Sequence, residues 1–188
     1  SITFTNTSNG SPTSYSWVLL GATPNTSTAQ NPTVTYSSPG TYSVTLTATN
    51  ANGSNSKTQS SYITIYAPPT GTTSSTTVAC YGGSTGSATV TASGGSAPYT
   101  YNWSGGGTGA TISNKPAGSY TVTITDNHQC SGTASVSINQ PLGPLSLAPN
   151  ANDAVCGQQN GSASVTATGG AGGYQYHWST NATTQTVS

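Results

Sequence analysis

The chain of 188 residues carries four charged side chains, Lys57, Lys115, Asp126 and Asp153, and no Arg or Glu, where ordinary soluble domains have roughly a quarter of their residues charged. No basic face can neutralise phosphates and no acidic tail is written, so the composition excludes nucleic acid and anionic membrane surfaces as partners. No apolar run approaches the roughly 18 residues of a membrane span, so no membrane insertion is expected, and the recurring Tyr, Val, Ile and Thr depart from the composition of a disordered chain.

In chain order, Ser1 to Phe4 reads as the second strand of a sandwich, with no first strand before it. Tyr15-Ser16-Trp17 follows. From Gly40 to Asn50 the residues Tyr42, Val44, Leu46 and Ala48 alternate with Ser43, Thr45 and Thr47, the period of a half-buried antiparallel strand. Threonine suits the wet face, because its β-branch favours extended backbone and its hydroxyl hydrates without charge. Asn52-Gly53 is a favoured hairpin dipeptide, and Ser54 to Tyr66 reads as the return strand.

The pattern is then written again. Tyr101-Asn102-Trp103 leads to a second stripe from Gly118 to Asn127, with a turn at Asp126-Asn127-His128 and a return through Ser131 to Gln140. Cys156 stands 76 residues after Cys80, and CGQQNGSASVTATGGAGGYQYHWS there matches CYGGSTGSATVTASGGSAPYTYNWS. This third copy reaches Tyr176-His177-Trp178. Three tandem modules are therefore expected, at 1–66, 67–141 and 142–188, with no helix anywhere.

A central-strand Trp with a Tyr opening a later strand marks immunoglobulin-like sandwiches. The expected fold is all-β: tandem immunoglobulin-like sandwich modules, beads on a string, with cores built on Trp17, Tyr42, Trp103, Tyr120 and Trp178. The terminal modules are expected to be incomplete, lacking the first strand of 1–66 and the last strands of 142–188. That pattern predicts a longer array, whose next stripe falls near residue 195 and whose next cysteine falls near residue 206.

Catalytic patterns fail on context. Gly82-Gly83-Ser84-Thr85-Gly86 fits G-x-S-x-G but sits in a glycine-rich turn before a strand, where the motif needs a strand-to-helix elbow. His128 is expected in a solvated turn, and His177 on the face opposite Tyr176 and Trp178. The two Asp fall in different modules, so a glycosidase pair is absent, and neither C-x-x-C nor a zinc spacing occurs. No catalytic residue, cofactor or metal is expected, and the chain does not read as an enzyme.

The residues SWVLLGATPNTSTAQNPTVTYSSPGTYSVTLTATNANGSNS resemble a PKD domain from Trp17 to Gly53, departing from it at Val18-Leu19-Leu20, where many such domains are rich in Asp. The second and third modules resemble SprB-type repeats through Cys80, Gly94-Gly95, Pro98-Tyr99-Thr100-Tyr101, Trp103, Pro116-Ala117-Gly118, Tyr120, Val122-Thr123, Asp126 and Cys130. The resemblance implies a secreted, extracellular protein of the bacterial cell surface, of the kind found in long adhesins of gliding bacteria, and names no catalytic residue.

The three cysteines fit that reading. Cys80 and Cys130 share a module and Cys156 repeats the Cys80 position, so a Cys80–Cys130 disulfide is expected, with the partner of Cys156 near residue 206. The expected function is a structural stalk and surface-attachment segment of a long adhesin or filament, its partners being neighbouring modules, other copies, and surface glycans. The alternatives are carbohydrate-binding modules in which Tyr81 or Tyr174 stacks on sugars, accessory stalks of a secreted hydrolase, and a head-to-tail fibre of strand-complemented subunits.

Overall fold

Alternation is realised as strand along most of the chain. The computed structural model describes residues 1–188 and contains strands and turns without a helix, an all-β chain of immunoglobulin-like modules. The chain divides into two compact units, one of residues 1–69, 94–97 and 126–130, the other of 70–93, 98–125 and 131–188.

In the first unit the strands are β1 (Ile2–Thr3), β2 (Ser14–Leu19), β3 (Ala22–Thr23), β4 (Thr26–Ser27), β5 (Thr33–Tyr36), β6 (Gly40–Asn50) and β7 (Gly53–Ile65). They form two antiparallel sheets, β1-β5-β3 and β4-β2-β6-β7. The inward residues of both meet in one core of Phe4, Trp17, Leu19, Val34, Tyr36 and Val44. Trp17, 5% exposed, tilts against Phe4 at 5.7 Å and donates its indole N–H to Ala29 O at 2.9 Å. Tyr42, half-buried, donates its hydroxyl to Ser38 O at 2.8 Å, four residues back, which is the corner bond of immunoglobulin-like folds. The β6–β7 turn is one residue earlier than the dipeptide implies: Asn50 pairs with Gly53, and Ala51 and Asn52 make the loop. The Asn50 side chain holds it by accepting from Asn52 N–H.

The second unit contains β8 (Thr70–Thr76), β9 (Gly86–Ser93), β10 (Thr100–Trp103), β11 (Thr111–Lys115), β12 (Gly118–Thr125) and β13 (Ser131–Ile138), in sheets β11-β9-β8 and β10-β12-β13. Val90, Trp103, Ile112, Tyr120, Val122 and Ile124 are buried between them. Aromatic side chains bury ~150–250 Å² each, so at ~25 cal/mol/Å² Trp103 alone contributes about 4–6 kcal/mol of apolar burial. Its indole donates to Gly109 O, and the Tyr120 hydroxyl donates to Pro116 O, again four residues back.

The same unit ends in β14 (Ser146–Asn152), β15 (Ser162–Thr168) and β16 (Thr186–Val187), one three-stranded sheet without a facing layer. Trp178 is half-buried here and donates to Thr184 O. Residues 175–178, equivalent to β10, are not a strand. In the second module β10 exists by pairing with β12, and no such strand faces 175–178.

Across the wet faces, hydroxyls pair with hydroxyls: Thr3–Thr33, Thr45–Thr58, Thr47–Ser56, Thr89–Thr111 and Thr121–Ser135 approach at 2.6–3.0 Å. These contacts occupy the cross-strand positions where ion pairs commonly stand.

Candidate binding surfaces

Unit 1 carries an open trough of about 1020 Å³ between the edge strands β1 and β7. Asn9 stands on one rim, and Asn52, Asn55 and Gln59 on the other, over a floor that includes Phe4 and Leu46. The side-chain amides of these four residues make no hydrogen bond within the chain. Asn6 and Asn50 do, and thereby fix the rims: Asn6 Oδ1 accepts from the Ser8 hydroxyl and N–H, while Asn50 Nδ2 donates to Gly10 O at 2.7 Å. An irregularity in the β6–β7 register between Tyr42 and Val44, with Ser61 at φ +53°, accompanies the exposure of Tyr62 at the trough's end. Lys57 is the only charged side chain that lines it.

Also in unit 1, Asp126 is 2% exposed. Its Oδ2 accepts from Ser96 N–H, and its Oδ1 from His128 and Cys130 N–H, all at 2.9 Å. Burial pushes this carboxyl up; the Ser96, Cys130 and His128 backbone donors, with the His128 ring, outweigh it and hold the pKa below its ordinary value. His128 is exposed but not free, since its ring stacks on Tyr66 at 3.6 Å and 15°. The turn is expected from sequence; the buried clamp is not, although an Asp two and four residues before the N–H groups it holds is a legible Asx pattern.

Unit 2 carries an open cleft of about 770 Å³ on the bare face of β14 and β15. Leu145, Leu147, Val165, Ala167 and Trp178 line it, with Tyr81 and Tyr174. The two tyrosines considered for sugar stacking thus share one surface. Two of its polar tips are engaged, with the Tyr174 hydroxyl donating to Gly169 O at 2.6 Å and the Trp178 indole to Thr184 O. Tyr81, Gln175, Tyr176 and His177 also line it. His177 is exposed, and Gly82 to Gly86 form turn and extended backbone with no helix after them.

The expected Cys80–Cys130 disulfide is not formed; all three cysteines are free thiols. Cys130 lies at the turn between β12 and β13, whereas Gly82, beside Cys80, donates to the Gln140 side chain at the far end of β13. Eight residues of strand separate those ends, about 26 Å at ~3.3 Å per residue, and a disulfide needs its two α-carbons within about 7 Å. No three of His, Cys, Asp and Glu come together as a metal cluster.

Residues 1–65 match the family model of the PKD domain, and residues 72–108 and 148–183 match that of the SprB repeat. Among solved structures, one described as the amphioxus IgVJ-C2 molecule is 16% identical over 73% of this chain and 95% of its own, at a TM-score of 0.30. No curated protein sequence matches.

Proposed function

We propose that this chain, a PKD domain followed by SprB repeats, is a stalk and attachment segment of a long, secreted bacterial cell-surface adhesin. The domain order carries the reading, since both families are typical of extracellular surface proteins and of modules without catalysis. Physical chemistry supports it: wet faces are held by hydroxyl pairs, and a surface with four charged side chains has few ion pairs for ambient salt to screen. Labelling of intact, unpermeabilised cells by antibodies raised against the 188-residue chain, with loss of surface attachment on adding their Fab fragments, is the expected result. Labelling only after permeabilisation would reject it.

A second reading, carbohydrate binding, is favoured by the trough of unit 1. Unused amides of Asn9, Asn52, Asn55 and Gln59 present paired donors and acceptors suited to neighbouring sugar hydroxyls. A glycan array probed with the chain should then show neutral oligosaccharides retained, and retention lost in the Asn55→Ala/Gln59→Ala double variant. An array without signal, or signal indifferent to that variant, removes this reading.

A further inference from the structure

Three asparagines stand directly before glycine: Asn9-Gly10, Asn52-Gly53 and Asn160-Gly161. That dipeptide permits a reaction within the chain, because glycine has no Cβ to keep the preceding side chain from folding back onto its backbone nitrogen. The reaction needs a side-chain amide free to turn and a backbone N–H free to lose its proton. By sequence the three are alike; the fold separates them.

Asn160 is held at both ends of its amide, with Oδ1 accepting from Val155 N–H at 2.8 Å and Nδ2 donating to Gln158 Oε1 at 3.1 Å. Asn52 has a free side chain, but Gly53 stands in the β6–β7 ladder opposite Asn50, and the Asn52 N–H is fixed by Asn50 Oδ1 at 2.8 Å. A residue in a ladder reacts only when local unfolding frees it. Asn9 has neither restraint. It is exposed and lies between β1 and β2, outside any ladder. Neither its side-chain amide nor the Gly10 N–H makes a hydrogen bond within the chain.

We infer that Asn9 is a modification site, at which the chain deamidates itself with water as the co-reactant. Gly10 N, on losing its proton, attacks Asn9 Cγ. The new C–N bond closes a succinimide ring, and the Cγ–Nδ2 bond breaks with release of ammonia. Water then opens the ring. Opening at Cγ restores the main chain with aspartate at residue 9, and opening at the main-chain carbonyl of residue 9 leaves isoaspartate, in which the chain runs through Cγ.

Either product adds a carboxylate to a chain that has two and takes its formal net charge from zero to minus one. The new charge stands on the rim of the unit 1 trough, where Lys57 is the charged side chain already present. Isoaspartate also lengthens the main chain just before Gly10. Gly10 O then leaves Asn50 Nδ2, and the side chain that fixes the Asn52 N–H is released. The site rests on the chain's own amides, whether or not the trough takes a ligand.

The test holds the full 188-residue chain in warm, mildly alkaline buffer and follows each Asn-Gly by pepsin digestion and mass mapping. In the folded chain Asn9 is expected to convert at least about tenfold faster than Asn52 and Asn160, a barrier difference of about 1.4 kcal/mol. In unfolding urea, where ladder and side-chain bonds are gone, the three should convert at like rates. Asn9→Gln, whose longer side chain must close a larger ring, should keep its charge on isoelectric focusing over the same period. Hydrogen exchange of the Asn52 amide should be faster in the aged isoaspartate fraction than in fresh chain. Conversion led by Asn52 or Asn160 in the folded chain, no conversion at Asn9, or the same tenfold spread persisting in urea would overturn the proposal.

Discussion

Residues 72–108 and 148–183 match one repeat model and end in different states. Ala88, Val90 and Trp103 are buried in the first, whereas Ala163, Val165 and Trp178 are half-exposed in the second. The pairs β8–β9 and β14–β15 have the same register, so local sequence is enough for the first sheet. What differs is the hairpin β12–β13, which contributes Tyr120, Val122, Ile124 and Ile138 to the core. In this repeat, then, the core belongs to the closing hairpin as much as to the strands that the repeat motif spells. The tryptophan is shared; its burial is conferred from elsewhere in the chain.

The sharpest way to break that comparison is to remove the tryptophans. Trp103→Ala should destabilise the second module by about 3–5 kcal/mol, the usual effect of emptying a buried aromatic site, whereas Trp178→Ala should change stability by under about 1 kcal/mol. Hydrogen exchange on β9 and β15, followed through a urea titration, separates the two; equal losses would mean that the third module has a core of its own.

Next in size is the exchange of Gly71 and Leu147. Gly71→Leu forces a side chain onto Ile124 and Val90 and should cost about 1–3 kcal/mol or more by overpacking. Leu147→Gly removes an exposed side chain and should leave β14–β15 paired, with a loss of roughly 0.5–1 kcal/mol of strand propensity. Amide protection of β8 and β14 in the two variants reads this directly.

A smaller effect should attach to Asp126. Its pKa is lowered on folding, so the stability it contributes is present above the ordinary carboxylate value of 3.8 and is lost as pH falls through the lower folded value. Asp126→Asn should flatten that acid limb of the melting curve and expose the amides of Ser96, His128 and Cys130 to exchange. An unchanged acid limb would assign the pH dependence elsewhere.

The smallest change is expected at Tyr36. Its hydroxyl is buried without a hydrogen-bond partner, and burial, with Tyr42 beside it, raises its pKa above 10.0. Tyr36→Phe should be neutral or stabilising by up to about 1 kcal/mol, seen as an unchanged or slightly higher melting temperature. A loss of more than that would reveal a bound water serving the hydroxyl.

Period-two alternation is a local signal, and it locates β6, β7, β12 and β13 within a residue or two, together with both tyrosine corners. Features that depend on distant partners are not legible. Tyr176-His177-Trp178 alternates as well as Tyr101-Asn102-Trp103, yet only the latter has β12 to pair with. The cysteine pairing fails because a repeat counts residues along the chain, while a disulfide requires two ends to coincide in space; Cys80 and Cys130 sit at opposite ends of β13. The trough amides cannot be found from sequence, since Asn and Gln are scattered through the whole chain and only β1 meeting β7 across an open edge selects four of them. Leu147 gains its meaning only beside the folded second module: aligned on the repeat, it is a leucine where the core requires no side chain.

The hydroxyl pairs on the wet faces also govern how this surface meets other molecules. With four charges in 188 residues, no long-range field steers an approaching partner, so encounter should proceed at the unsteered ~10⁵–10⁶ M⁻¹s⁻¹ and hold that rate from fresh water to brine. On the attachment role proposed above, tenacity would then come from slow release, or from many modules engaging at once so that each rebinding is drawn from an effective concentration set by its neighbours. A chain of near-neutral repeats acting so would grip by number, with a grip indifferent to the ionic strength around it.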